Sequence, residues 1–280
     1  MKYFWLTLFC AFSPLALAQD DLLSKIDSVA TDEVVVAAFK AQKIVNLEST
    51  KLLGKKELYF VVAHRFASVK QGLEGFFGLD NAVTQIKFIY GISDKLSVGA
   101  GRSEQAYDFA AKYLITSQKT DGFPFTIVGF NSIGINNLLK EENYTKMKFD
   151  NRLIYVSQIL ISRKCTTNLS LELAPTYFHE NFVLDNAQDN SQFALGFGGR
   201  YKVSKRVSIN ADYVPHLNRS SSSTFHNPLS VGVDIETGGH VFQMHFTNSQ
   251  GIHESGFLGN STGDWGKGDI FFGFNLVRVF

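Results

Sequence analysis

Residues 191–203 read SQFALGFGGRYKV. Phe193, Leu195, Phe197, Tyr201 and Val203 fall on one parity, and Gln192, Ala194, Gly196, Gly198, Arg200 and Lys202 on the other. A period of two sends successive side chains to opposite faces of a strand, so the stretch predicts a strand with one apolar face and one polar or small face. The pattern recurs. Val207, Ile209, Ala211 and Tyr213 alternate with Ser208, Asn210 and Asp212; Leu229, Val231, Val233 and Ile235 alternate with Ser230, Gly232, Asp234 and Glu236. Leu169, Leu171 and Leu173 do the same against Ser170, Glu172 and Ala174.

Working outward, such runs give about twelve strands: 56–66, 82–92, 95–102, 106–117, 124–134, 148–163, 166–180, 190–203, 205–216, 228–237, 240–249 and 268–280. Most have the 9 to 11 residues that a tilted strand needs to cross a bilayer. Short connections alternate with long ones at 67–81, 135–147, 181–189, 217–227 and 250–267, and only 103–105 breaks the rule. That arrangement predicts an all-β fold: a transmembrane antiparallel up-and-down β-barrel with short periplasmic turns, longer extracellular loops and both ends in the periplasm.

A soluble sandwich or lipocalin-like barrel also shows period two, with the apolar face turned inward. Three features favour the membrane. The strands are longer than the usual five or six residues. The polar face is rich in Gly, Ser and Asn rather than the Lys and Glu that protect exposed sheets. The loops alternate in length. Composition agrees: 26 Phe but only 19% charged residues would require an oversized core in a soluble domain, whereas an apolar outer surface accounts for them directly. The balance of 27 Lys+Arg against 26 Asp+Glu argues against a nucleic-acid partner. Two cysteines exclude a disulfide scaffold.

Residues 1–18, MKYFWLTLFCAFSPLALA, have the form of a signal peptide: Lys2, an apolar run and a small-x-small site at Ala16-Leu17-Ala18. Cleavage there removes Lys2 and Cys10 and leaves a neutral chain exported to the bacterial outer membrane. Residues 19–53 are expected to form a periplasmic extension or a plug in the lumen, with a helix around Leu22 to Phe39, and 54–280 to form the barrel. The C-terminal strand 268–280 ends on Phe280, the kind of aromatic terminus that engages the barrel-assembly machinery, although Arg278 departs from the usual apolar residue. Outer-membrane lipids are the other expected partner.

Several strings carry a family resemblance: His64-Arg65-Phe66, Phe77-Gly78-Leu79-Asp80, Gly91-Ile92-Ser93-Asp94-Lys95-Leu96, Gly101-Arg102-Ser103 before Tyr107-Asp108, His240-Val241-Phe242-Gln243, Phe246-Thr247-Asn248-Ser249 and the closing Gly273-Phe274-Asn275 to Phe280. In this order, from about Val34 to the C-terminus, the chain resembles a bacterial family of membrane-bound β-barrel domains of unknown function. The resemblance implies the fold and the compartment, and no reaction.

With the apolar face outward, the candidate lumen residues are Arg65, Lys87, Lys112, Arg200 and Lys202 on the basic side and Glu57, Asp108, Glu172, Asp212, Asp234 and Glu236 on the acidic side, with His245 near them. Mixed signs in a narrow barrel tend to pair rather than form the single-sign ring of a strongly selective pore. The expected role is a narrow or gated small-solute channel, or a structural barrel. Two alternatives belong to other classes. His253-Glu254-Ser255 has the His/Ser spacing of outer-membrane phospholipases, which makes a lipid hydrolase using Ser255 and His253 an alternative, but the triplet lies in a loop and lacks an identifiable orienting Asn. The long loops 67–81 and 250–267 offer a surface binding module. The seven scattered histidines show no metal-ligand spacing, and neither metal nor cofactor is expected.

Overall fold

The structure is a computed structural model that describes residues 33–280 apart from 141, 143, 145, 184 and 239. The signal peptide and most of the expected N-terminal helix lie outside the described residues. Within them, 33–39 are extended or bent rather than helical.

Twelve strands form one closed antiparallel barrel: β1 (Leu58–Ser68), β2 (Ala82–Ser93), β3 (Leu96–Ser103), β4 (Ala106–Thr116), β5 (Thr126–Asn136), β6 (Leu153–Lys164), β7 (Leu169–Glu180), β8 (Ser191–Lys202), β9 (Val207–Tyr213), β10 (Leu229–Thr237), β11 (His240–Thr247) and β12 (Phe271–Val279). Each strand pairs with its sequence neighbours. Closure comes from β1 against β12, where Tyr59 opposes Val279 and Arg65 opposes Gly273. Closure leaves no unpaired edge, the condition for sheet in hydrocarbon. The expected strands match within a few residues. The largest difference is at β6, which starts at Leu153 because Phe149–Arg152 forms a 3-10 turn.

Short turns and both barrel ends share one rim, the terminal rim; the long connections share the other, the long-loop rim. The exception at residues 104–105 is a genuine tight turn on the long-loop side. Outward-facing Ile86, Phe88, Phe109, Phe197 and Ile209 are each about half exposed. Stacked rings such as Phe66 on Phe272 (5.7 Å between centroids) continue this apolar band across β1 and β12. A contiguous apolar surface on this scale marks contact with lipid rather than water.

The interior has two halves. Polar wall residues from β1–β4 and β9–β12 line one side. The inward faces of β5–β8 carry an apolar patch, with Val128, Phe130, Val156, Leu160 and Phe178 buried, beside polar residues such as Ser162 and Glu172. Apolar side chains turned into a lumen need an apolar partner, and the chain supplies it from outside the strands.

Candidate functional site

The barrel holds two inserts from opposite rims. The first precedes β1. Val34 bridges Lys119 in the β4–β5 turn, fixing the segment at the terminal rim. The chain then runs inward, reverses and leaves at the same rim, where the Lys56 N–H donates to Gly91 O (2.8 Å) and the Lys55 N–H to Asp94 Oδ1 (2.9 Å). The reversal is local: the Ile44 N–H donates to Leu47 O (2.8 Å), the Ser49 N–H to Gln42 O (2.9 Å), and Lys43 bridges Glu48. Phe39, Ile44 and Leu47 are buried in one cluster with Val128, Phe130, Val156, Leu160 and Phe178, which completes the apolar half of the lumen.

Polar wall residues on both sides of the lumen hold the same segment, chiefly by its main chain. At the tip of the turn the N–H groups of Val45, Asn46 and Leu47 converge on Asp212 Oδ2 at 3.1, 2.8 and 2.9 Å. Successive main-chain amides that point to one centre form a concave anion site. Thr50 donates its N–H to Glu172 Oε2 (3.0 Å), and its hydroxyl lies 2.6 Å from Ser162 Oγ. From the basic side, Lys112 Nζ pairs with Glu48 Oε2 (2.7 Å) and donates to Ser49 O (2.9 Å) and Gln42 O (3.1 Å). Gln243 Nε2 donates to Lys43 O and Ile44 O, both at 3.2 Å. Arg65 Nη2 donates to Asn46 Oδ1 (2.7 Å).

Glycines make room for this packing. A Cβ on Gly198 would lie 2.1 Å from Ile44 Cδ1, and one on Gly91 would lie 2.0 Å from Gly54 O. Small voids lie beside the segment. A void of about 30 Å³ lies among Arg65, Lys87, Gln85, Lys43 and Asn275, and one of about 20 Å³ among Lys87, Ser97, Lys112 and Phe130. Each has room for about one or two water molecules.

The second insert is the β11–β12 connection, residues 248–270, which the sequence reading treats as a surface loop. Part of it instead folds into the lumen. Ile252 is buried, and the short helix α1 (Glu254–Leu258) is buried along its whole length. The two inserts meet at Lys43, whose Nζ lies 2.5 Å from Glu254 Oε1 and 3.4 Å from Glu48 Oε1.

At the long-loop rim, Asp185 Oδ2 accepts the Thr224 N–H (3.0 Å) and the Ser223 hydroxyl (3.0 Å), tying 181–190 to 214–228. Hydrogen bonds from the Ala187 and Thr224 N–H groups hold its carboxyl below the usual range. Arg219 Nη2 donates to Gly259 O (3.1 Å), joining the same loops to the end of α1. His216, which packs there, is pushed down to about 4 by burial and then by the Arg219 guanidinium.

The sequence-derived residues divide into groups. Arg65, Lys112, Glu172 and Asp212 touch the inner segment. Lys87 and Asp108 pair with each other (3.0 Å) on the wall beside it. Arg200 pairs with Glu236 on the wall. Asp234 Oδ1 accepts from Gln243 Nε2 (2.9 Å). His245 is buried, and neither ring nitrogen has a hydrogen-bond partner. Lys202 is half-buried near the terminal-rim end of β8. Glu57, placed by sequence on the first strand, instead precedes β1 and accepts the Gly54 N–H (2.8 Å). His253 and Ser255 are buried in the lumen, not on the lipid face, and no hydrogen bond joins them among the described residues. His253 and Ser255 are therefore not paired as the hydrolase reading requires, and their burial in the lumen keeps them from lipid.

The sequence reading missed the apolar inner wall and its occupant. Around β6 both parities are apolar (Ile159, Leu160, Ile161), which hides the inward face. The available signal was the row of glycines on the polar parity at 196, 198, 232 and 273, since bare backbone on a lumen wall implies something lying against it.

The model of a family described as "Membrane bound beta barrel domain (DUF5777)" matches residues 39–280, a range that opens inside the inner segment. A comparison with curated proteins returns no match. Among solved structures, a KdgM porin is 9% identical and superposes with a TM-score of 0.50 over 79% of this chain and 99% of its own. A KdgM porin in complex with disordered oligogalacturonate gives 10%, 0.50 and the same coverage. A NanC porin gives 10% and 0.48 over 79% and 98%. At such identities the likeness is one of fold.

Proposed function

Because the chain belongs to the family of membrane-bound β-barrel domains, we propose that it is a gated small-solute channel of a bacterial outer membrane, closed by its own residues 38–53. The observation that carries this reading is the way the segment is held. It lies inside the lumen with voids of about 30 and 20 Å³ beside it, and its anchors on β1, β4, β7, β9, β11 and β12 are hydrogen bonds and an ion pair made by wall side chains. A barrel that only needed filling could use its own large side chains, as narrow barrels do. This wall has glycines where the segment lies. It also keeps buried charges whose pairing adds little to stability and is better suited to specifying one of two states.

The porin-like fold supports transport, and the terminal rim, where the segment enters, would be periplasmic. The outward apolar band would contact outer-membrane lipids, and the terminal strand within 268–280 would engage the barrel-assembly machinery during insertion. Planar-bilayer recordings test the gate. Wild-type protein is expected to conduct rarely. Glu48→Lys, which sets a cation against Lys112 and Lys43, is expected to open often. A folded Glu48→Lys barrel that conducts no more than wild type would overturn the reading.

A further inference from the structure

The wall reads the inner segment chiefly through its peptide groups. Within residues 42–53, five main-chain N–H groups donate to wall side chains: Val45, Asn46 and Leu47 to Asp212, Thr50 to Glu172, and Leu53 to Ser97. Five main-chain carbonyls accept from wall side chains: Gln42 and Ser49 from Lys112, Lys43 and Ile44 from Gln243, and Val45 from Asn275. Acceptors and donors thus stand where an extended-and-turned peptide needs them. Among the described residues, the ionised side chain of the segment that the wall pairs is Glu48, on Lys112.

Once the segment leaves, the same groups face the open lumen without their protein partners. Lys112 then presents a cation, Asp212 and Glu172 present carboxylates, and Gln243 and Asn275 present amide donors, in the arrangement that held the peptide groups. A solute is favoured in proportion to how many of these demands it meets. Neutral oligosaccharides bring no charge for Lys112. Acidic ones bring it but place further negative charge near Asp212 and Glu172. A peptide with a carboxylate side chain supplies all three: N–H donors, carbonyl acceptors and an anion. The apolar trough beneath Ile44 and Leu47, over Gly198 and Gly196, takes an aliphatic side chain as well.

We propose that the lumen is a binding site for short peptides that carry a carboxylate side chain, which occupy the socket that residues 42–53 fill in the closed state. This rests on the gated-channel reading, because the socket must first be vacated. The test uses full-length protein in detergent and a fluorescent, end-blocked nonapeptide copying residues 42–50. Fluorescence anisotropy is expected to show saturable binding to Glu48→Lys, whose wall is unaltered, and at least tenfold weaker binding to wild type. N-methylation of the probe at the three positions that meet Asp212 is expected to weaken binding at least tenfold, because each lost bond is to a charged group. Leu47→Asp serves as a second opened variant, with heat-modifiable gel mobility as the check on folding.

In wild type, excess probe is expected to speed tryptic cleavage at Lys43 and Lys51 by displacing the segment. This arm does not depend on any variant folding. The proposal is overturned by absence of binding to a folded opened variant, by equal binding of the N-methylated probe, by equal competition from an acidic oligosaccharide of similar length, or by unchanged cleavage in wild type. Conductance of the same variants is read separately. Opening without peptide binding sinks the peptide site alone, whereas peptide binding without conductance sinks the channel.

Discussion

Asp212→Ala is the sharpest perturbation of the closed state. One carboxylate oxygen accepts three consecutive main-chain N–H groups at the tip of the inner turn. A hydrogen bond to a charged group contributes about 1.5–3 kcal/mol, and orphaning a buried donor costs about 1–3 kcal/mol. The three bonds share one acceptor, so they do not add in full. The space vacated by the carboxyl also admits a water that can take up one or two donors. Removing the buried carboxylate recovers part of its desolvation cost. Together these leave about 2–5 kcal/mol lost from docking, a shift of roughly 30- to several-thousand-fold in the docked-to-free ratio. The strand ladder is untouched, so the loss is expected in the segment and not in the barrel. The assay pairs open probability in planar bilayers with tryptic cleavage at Lys43 and Lys51. A folded Asp212→Ala barrel with wild-type conductance and wild-type cleavage would refute the argument that these three bonds hold the segment in place.

Other outcomes follow from the same geometry. Phe39→Ala empties a buried aromatic site in the apolar half and is expected to weaken docking by about 3 kcal/mol, seen as more frequent opening. Gly91→Ala forces a Cβ against Gly54 O and is expected to lower the thermal midpoint of heat-modifiable mobility. Gly199→Ala, whose nearest neighbour would be Leu171 Cδ2 at 3.5 Å, leaves that midpoint unchanged. Asp185 titrates below its ordinary value of 3.8 in the folded loops, so its contribution is present above that pH and lost as pH falls through the lowered value. Protection of the Thr224 amide from hydrogen exchange, taken relative to the intrinsic exchange rate at each pH, is expected to fall on acidification through that window, and Asp185→Asn is expected to remove the dependence.

The strands, their order and their membrane face follow from the sequence alone. On β8, β9 and β10 a period of two separates Phe, Leu, Val and Ile from Gly, Ser, Asn and Asp, and pleating turns that parity into two faces. Loop lengths then assign the rims. The pairing of Lys112 with Glu48, or of Asp212 with three amides, leaves no such trace. Those partners stand 64 residues apart or more, and residues 33–53 have no period that announces where they lie. Parity identifies a polar face but does not say what that face touches. Arg65, Lys87, Asp108, Lys112, Glu172 and Asp212 were therefore legible as lumen candidates, while their contacts were not. The apolar inner wall of β5 and β6 was hidden because both faces there are apolar. Only closure of the barrel brings β4, β7, β9 and β11 around one axis. That enclosed volume, lined by glycines and unpaired charges, is what draws residues 38–53 from one rim and Glu254 from the other into contact.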